Sequence, residues 1–188
     1  LPVFGALIYL FVELNLGGIG LKARTYVRLK ETEGLLLATE RTKKAVAGSR
    51  ADFRGFARYM EGTVGFPAYQ GSEAVYYPSG EDKFKDLLKE LQKAERFIFL
   101  EYFIMERGIM WNAILDILKE KVKQGVEVRV MYDGMCSIML LPYGYPSELE
   151  KYGIKAKMFA PIRPFLSTNQ NNRDHRKIVV IDGKVAFT

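Results

Sequence analysis

Asp174-His175-Arg176-Lys177-Ile178-Val179-Val180-Ile181-Asp182-Gly183 is the stretch that decides how this chain reads. It holds the single histidine of the 188 residues, with Lys two and Asp seven positions on, in the spacing H-x-K-x4-D. At the chain's Lys and Asp frequencies that spacing arises by chance about once in three hundred. Residues 178–181 form a β-branched apolar run closed by Asp-Gly, the pattern of a buried strand entering a tight hairpin turn toward residues 184–188. Side chains alternate along a strand, so His175 and Lys177 share a face while Arg176 points away. An imidazole and an ammonium converging in this way suit one anionic group, and phosphate is the natural candidate. Neutral imidazole attacks phosphorus, and the lysine offers a point charge to the phosphoryl oxygens as charge builds on them. No metal and no cofactor is called for by that chemistry.

Asp182 reads differently from its two partners in the spacing. Seven residues of extended chain carry it roughly 23 Å from His175 and onto the opposite face. It counts as a candidate catalytic residue with His175 and Lys177 because it completes the pattern. Its main expected role is structural, as the first central residue of a type I′ turn with Gly183. The carboxylate that fixes the tautomer of His175 is then expected from elsewhere, sequence beyond Thr188 included.

Upstream, the pattern alternates from residue 75 onward. Residues 81–95 read as a helix, 96–105 as a strand, 109–124 as a helix and 126–132 as a strand; 147–152 follow as a short helix and 154–159 as another strand. Gly125 after a Lys-rich last turn is a helix stop, and the apolar runs predict a sheet covered on both faces. The expected fold is α/β, with a mixed, mostly parallel sheet flanked by helices. Glu101 and Asp133, on or at the end of their strands, are candidates for orienting a catalytic group. The loop of residues 167–173 is strongly polar and runs straight into the motif, so Asn172 and Arg173 are candidate phosphate donors. The apolar, proline-broken stretch 138–146 reads equally as a lipid contact or as ordinary packing. Cys136 is the lone cysteine, which excludes an intrachain disulfide and leaves a bystander thiol as the favoured reading.

Charge is uneven. Residues 21–58 hold ten basic residues against four acidic ones, and so account for the whole net charge of +6. Residues 1–12 are almost wholly apolar, yet twelve helical residues span only about 18 Å against a bilayer core of about 30 Å. An apolar segment followed by a basic one fits the end of a membrane helix with the remainder on the cytoplasmic side, and Glu13 with Gly17-Gly18 ends the apolar run where an interface would lie. A buried core helix with a solvated basic neighbour is the alternative. Arg50, Arg54 and Arg58 recur every four residues beside Phe53, Phe56, Ala57 and Met60, with Ser49 as the expected N-cap. This amphipathic helix suits an anionic membrane, nucleic acid or a plain solvated face.

Asn172 and Arg173 followed by the stretch 175–183 resemble the HKD motif of the phospholipase D superfamily, and the surrounding residues are similar to those of bacterial cardiolipin synthases. Glu101-Tyr102-Phe103-Ile104 and residues 125–134 resemble the strands that precede the first HKD motif of those enzymes. The likeness covers residues 70 to 188 well, and residues 1–20 more loosely resemble the end of the family's membrane region. It implies segments 1–20 (membrane-associated), 21–70 (basic juxtamembrane linker) and 71–188 (first phospholipase D-like half). It also implies a second histidine from another HKD half or a second copy, and a longer protein, because the chain stops at Thr188 before the family's Gly-Gly and Asn. The implied activity is transfer of a phosphatidyl group between two phosphatidylglycerol molecules at the cell membrane. Phospholipase D-type hydrolysis, another superfamily phosphatidyltransferase and a catalytically idle membrane-anchored module are the alternatives. The membrane-like N-terminus argues against a nuclease, so no nucleic-acid partner is expected.

Overall fold

The structure is a computed structural model that describes residues 2–14, 16–32, 34–161 and 173–188. It divides into two compact units, Leu1–Tyr76 and Tyr77–Thr188.

The first unit is helical: α1 (Pro2–Leu14), α2 (Leu16–Thr32), α3 (Glu40–Ala47) and α4 (Ala51–Val64). Thr39 caps α3, its hydroxyl accepting the Thr42 N–H at 3.2 Å. Ser49 does not cap α4 as expected. Its hydroxyl donates to the Val46 carbonyl at 2.6 Å and so satisfies an orphan group at the end of α3. Arg50 precedes α4 without a side-chain cap. Arg54 folds back onto the carbonyls of Ala47 and Ser49, so one of the three spaced arginines braces the α3–α4 link. Phe53, Phe56 and Tyr59 of α4 are exposed. No helix among the described residues is long and apolar enough to cross a membrane.

In the second unit Ser79 accepts the Asp82 N–H at 3.2 Å and caps α5 (Gly80–Lys93). Leu87 and Leu91, four apart on one stripe, are buried. There follow β1 (Phe97–Tyr102), α6 (Ile109–Lys123), β2 (Glu127–Asp133), α7 (Tyr145–Glu150), β3 (Lys155–Phe159), β4 (Lys177–Ile181) and β5 (Val185–Phe187). Gly125 ends α6 at φ +86°, a left-handed turn that lets the Val126 N–H reach back to the Lys121 carbonyl at 3.0 Å. The five strands lie in the order β3-β2-β1-β4-β5. β1, β2 and β3 are parallel, and β4 alone runs the other way, antiparallel to both β1 and β5. The sheet is therefore mixed and mostly parallel, as the alternation predicts.

Register decides which side chains reach the core. Ile98, Leu100, Val128, Val130, Val179 and Ile181 point to one face and are buried with Leu91 of α5 and Ile114 and Leu118 of α6. The other face carries Phe99, Met131, Ile178 and Val180 among Arg129, Lys155 and Lys157, and among the described residues of this unit it is not fully covered. Those three charged residues interrupt the apolar run on this face. Arg129 lies 4.8 Å over the Phe99 ring with its guanidinium paired to Glu127 at 2.8 Å. Burying that arrangement would desolvate the charges.

Candidate active site

β4 places the motif. It starts at Lys177 rather than at His175, so the histidine stands just ahead of the strand, where Lys177 pairs with Tyr102 at the C-terminal end of β1. His175 and Lys177 meet as the alternation predicts. Lys177 Nζ lies 3.1 Å from His175 Nδ1 and 3.4 Å from Nε2, and it also donates to the His175 carbonyl at 2.7 Å. Both side chains are exposed. Phe103, just past β1, supplies their floor: its ring centroid is 4.4 Å from that of the imidazole, and Lys177 Nζ lies 4.7 Å above it. A cation and an imidazole held on one aromatic plate and open to solvent have the chemistry to meet one anionic group.

Arg176 points the other way, into carboxylates. Its Nε bonds Asp174 Oδ1 at 3.0 Å and lies 2.9 Å from Glu101 Oε1, without the alignment of a hydrogen bond to the latter. Glu101 Oε1 and Asp174 Oδ2 are both buried with no donor while both groups are ionised. One proton shared between them removes that defect. Burial first, then the hydrogen bond and charge of Asp174, push the Glu101 carboxyl up to about 7 against the opposing pull of Arg176. Burial also works to raise Asp174, but the hydrogen bonds from Glu101 and Arg176 outweigh it and hold that carboxyl below its usual range.

Asp133 braces the same segment from β2. Its Oδ2 accepts the Asp174 N–H at 3.0 Å, and its Oδ1 accepts the N–H groups of Met135 and Cys136 at 3.0 and 2.9 Å. Asp133 thus holds the backbone next to His175, while Glu101 meets the side chains of its neighbours Asp174 and Arg176. Among the described residues no carboxylate bonds the imidazole.

Asp182 does not join the other two members of its spacing. It sits past the far end of β4 in a turn where Asp182 and Gly183 both have positive φ, +55° and +71°, and Lys184 N–H donates to the Ile181 carbonyl at 3.0 Å. Its carboxylate accepts the N–H groups of Glu95, Arg96 and Phe97 at 2.9, 2.8 and 2.9 Å, pinning the hairpin to the start of β1. Those bonds, Phe97's foremost, hold the carboxyl below its ordinary range. These contacts make Asp182 a brace of the hairpin. The guanidinium of Arg173 touches Met135 Sδ, and Asn172 lies outside the described residues. In the 138–146 stretch Leu141 and Tyr145 are core, whereas Met139 is exposed. Asp174 and Phe103 are the residues that sequence reasoning passed over. Asp174 carried a signal, since alternation places it on the side of Arg176.

Residues 87–188, more than half the chain, match the family described as cardiolipin synthase, PLD-like domain. The chain belongs to that family. It is 45% identical over 186 residues to an uncharacterized protein of Streptococcus mutans, covering 99% of this chain and 40% of that one. A cardiolipin synthase of Geobacillus kaustophilus is 33% identical over 191 residues, covering 99% and 37%, and a probable cardiolipin synthase of Bacillus subtilis is 32% identical over 189 residues with the same coverage. The chain therefore spans about two fifths of the length of these relatives. Among solved structures, NucT from Helicobacter pylori aligns with a TM-score of 0.41 at 18% identity, over 56% of this chain and 64% of that one.

Proposed function

We propose that this chain supplies one half of a phosphatidyltransferase site that makes cardiolipin from two phosphatidylglycerol molecules at the cell membrane. The observation that carries the reading is the contact of His175 and Lys177 on the Phe103 plate, exposed to solvent, in a member of the cardiolipin synthase family. One histidine attacks the phosphorus of the first phosphatidylglycerol. The P–O bond to glycerol breaks, a phosphatidyl-histidine forms, and a second histidine protonates the departing glycerol oxygen. A glycerol hydroxyl of the second phosphatidylglycerol then attacks that phosphorus, gives up its proton to the second histidine, and frees cardiolipin and the first histidine. Lys177 meets the charge on the phosphoryl oxygens in both steps. The second histidine comes from another HKD half of the full-length protein or from a second copy, since this chain holds one histidine. The apolar α1 and the basic residues of 21–58 support an anionic membrane as the working surface, with the catalytic part on the cytoplasmic side.

Stoichiometry tests the reading. The full-length protein is incubated in vesicles of isotopically labelled phosphatidylglycerol, and lipids and free glycerol are followed by mass spectrometry. One glycerol per cardiolipin is expected. Phosphatidic acid in place of cardiolipin would mean that water is the acceptor, and an absence of turnover would mean a binding module.

A further inference from the structure

Among the described residues, a cavity opens on the helix-covered face of the sheet. Phe84 and Leu87 of α5 face Met110, Trp111 and Ile114 of α6 across a cavity of about 370 Å³, with Tyr102 of β1 among its lining residues. That volume falls within the roughly 300–1,000 Å³ of pockets that hold small ligands.

Its position relative to the motif is fixed by register. Tyr102 lies directly opposite Lys177 in the β1–β4 ladder, so the two side chains leave the sheet on one face with their Cβ atoms about 5 Å apart. The next residue, Phe103, is the plate under His175 and Lys177. The cationic site thus adjoins Tyr102, one of the residues that line the cavity. A ligand whose anion rests at His175 and Lys177 has the cavity within one side chain's reach.

The chemistry of the lining selects what fills it. Burial pushes the Tyr102 hydroxyl up to about 12, so Tyr102 adds no charge at neutral pH. Lys83, at the edge, is engaged with the Thr188 carbonyl at 2.9 Å. The cations farther along α5, Lys85 and Lys89, are paired with Asp82 and Asp86 at 3.1 and 2.9 Å, which leaves little free positive charge there to track a nucleic-acid backbone. Near the cavity, large apolar side chains stand in water: Ile104 is 51% exposed, Ile109 89% and Met110 53%. Such an apolar cluster beside a cationic pair fits an amphiphile, and the unbranched Met105 and Met110 adapt to a flexible chain.

We propose that the groove between α5 and α6 takes one acyl chain of the phospholipid whose phosphodiester sits at His175 and Lys177, an inference that rests on the lipid reading above. The test uses the full-length protein and monomeric phosphatidylglycerols with dibutyroyl to dioctanoyl chains, below their aggregation concentrations. Burying one chain raises kcat/KM about fourfold per methylene, until the groove is filled. Met110→Glu places a charge at the opening, on a half-exposed residue that the fold tolerates, and flattens this to less than twofold per methylene. A second readout needs no turnover. Phosphatidylglycerol with brominated acyl chains quenches the fluorescence of Trp111 at the cavity, read as the difference in quenching between the parent and Trp111→Phe. A flat chain-length profile in a protein that still cleaves bis(4-nitrophenyl) phosphate and makes cardiolipin overturns the groove alone, as does an unchanged slope in Met110→Glu. Cleavage of single-stranded DNA with no lipid turned over overturns the lipid reading, and the groove with it.

Discussion

Replacing Asp182 separates a brace from a catalyst. Its carboxylate accepts three backbone N–H groups of the segment entering β1, all within 2.9 Å, and the residue is 8% exposed. Asp182→Asn keeps one acceptor oxygen and a side chain that tolerates the left-handed backbone at φ +55°, but turns an amide NH2 toward at least one N–H donor. With charge-assisted bonds worth about 1.5–3 kcal/mol each, and one such bond lost with part of a second, the expected cost is about 3 kcal/mol. For a unit of this size that lowers Tm by roughly 12 °C. Asp182→Ala loses all three acceptor contacts and adds left-handed strain of about 1 kcal/mol, so it unfolds still earlier. The folded carboxyl pKa is depressed, so this contribution is present above the unfolded value of 3.8 and is lost as pH falls through the folded one. Asp182→Asn removes that acid-side dependence. The assay is urea denaturation followed by circular dichroism, beside lipid turnover normalised to the folded fraction. Turnover per folded molecule is expected to stay within about fivefold. Parental stability in Asp182→Asn combined with a hundredfold loss of turnover would refute the reasoning.

Further outcomes follow from the same contacts. Glu101 holds its proton up to about 7 in the folded state against 4.5 unfolded, so stability falls as pH rises through that window. The ceiling is about 3 kcal/mol, reduced to about 1–2 kcal/mol by partial solvent contact, and Glu101→Gln should abolish the slope between pH 5 and 7 in urea titrations. Lys177→Met should lower kcat for cardiolipin formation by about 100–1,000-fold with Tm moved by less than about 3 °C, because its side chain is exposed and its contacts lie within the site. A Cβ on Gly134 would stand 2.7 Å from the Met158 side chain and 3.0 Å from the Phe159 carbonyl; the side chain can yield and the backbone cannot. Gly134→Ala should therefore cost about 1–3 kcal/mol in thermal denaturation.

What the sequence made legible is what local rules control. Period-two alternation over residues 175–177 put His175 and Lys177 together and sent Arg176 away, and Asp-Gly after a β-branched run marked the hairpin. The Gly125 stop and the βα alternation gave the sheet and its helices. What stayed hidden depends on register between segments far apart in the chain. Glu101 meets Asp174 and Arg176 only because it pairs with Ile178 across β1 and β4, and Asp182 meets residues 95–97 only because Ile98 pairs with Ile181. No spacing within either segment carries that information. The helix α2 runs through Gly17 and Gly18, since glycine costs only about 1 kcal/mol relative to alanine and helix formers follow it. Ser49 was misplaced by one helix, since a serine between two helices can serve the end of the first as well as the start of the second.

The central claim is that His175 does chemistry at phosphorus. The most direct measurement compares initial rates of cardiolipin formation by the full-length protein and by His175→Ala in phosphatidylglycerol vesicles, at equal folded fraction checked by circular dichroism. Because the imidazole is exposed, folding should be unaffected, and a loss of at least about a thousandfold is predicted. A His175→Ala protein that retains a rate within tenfold of the parent would contradict the account.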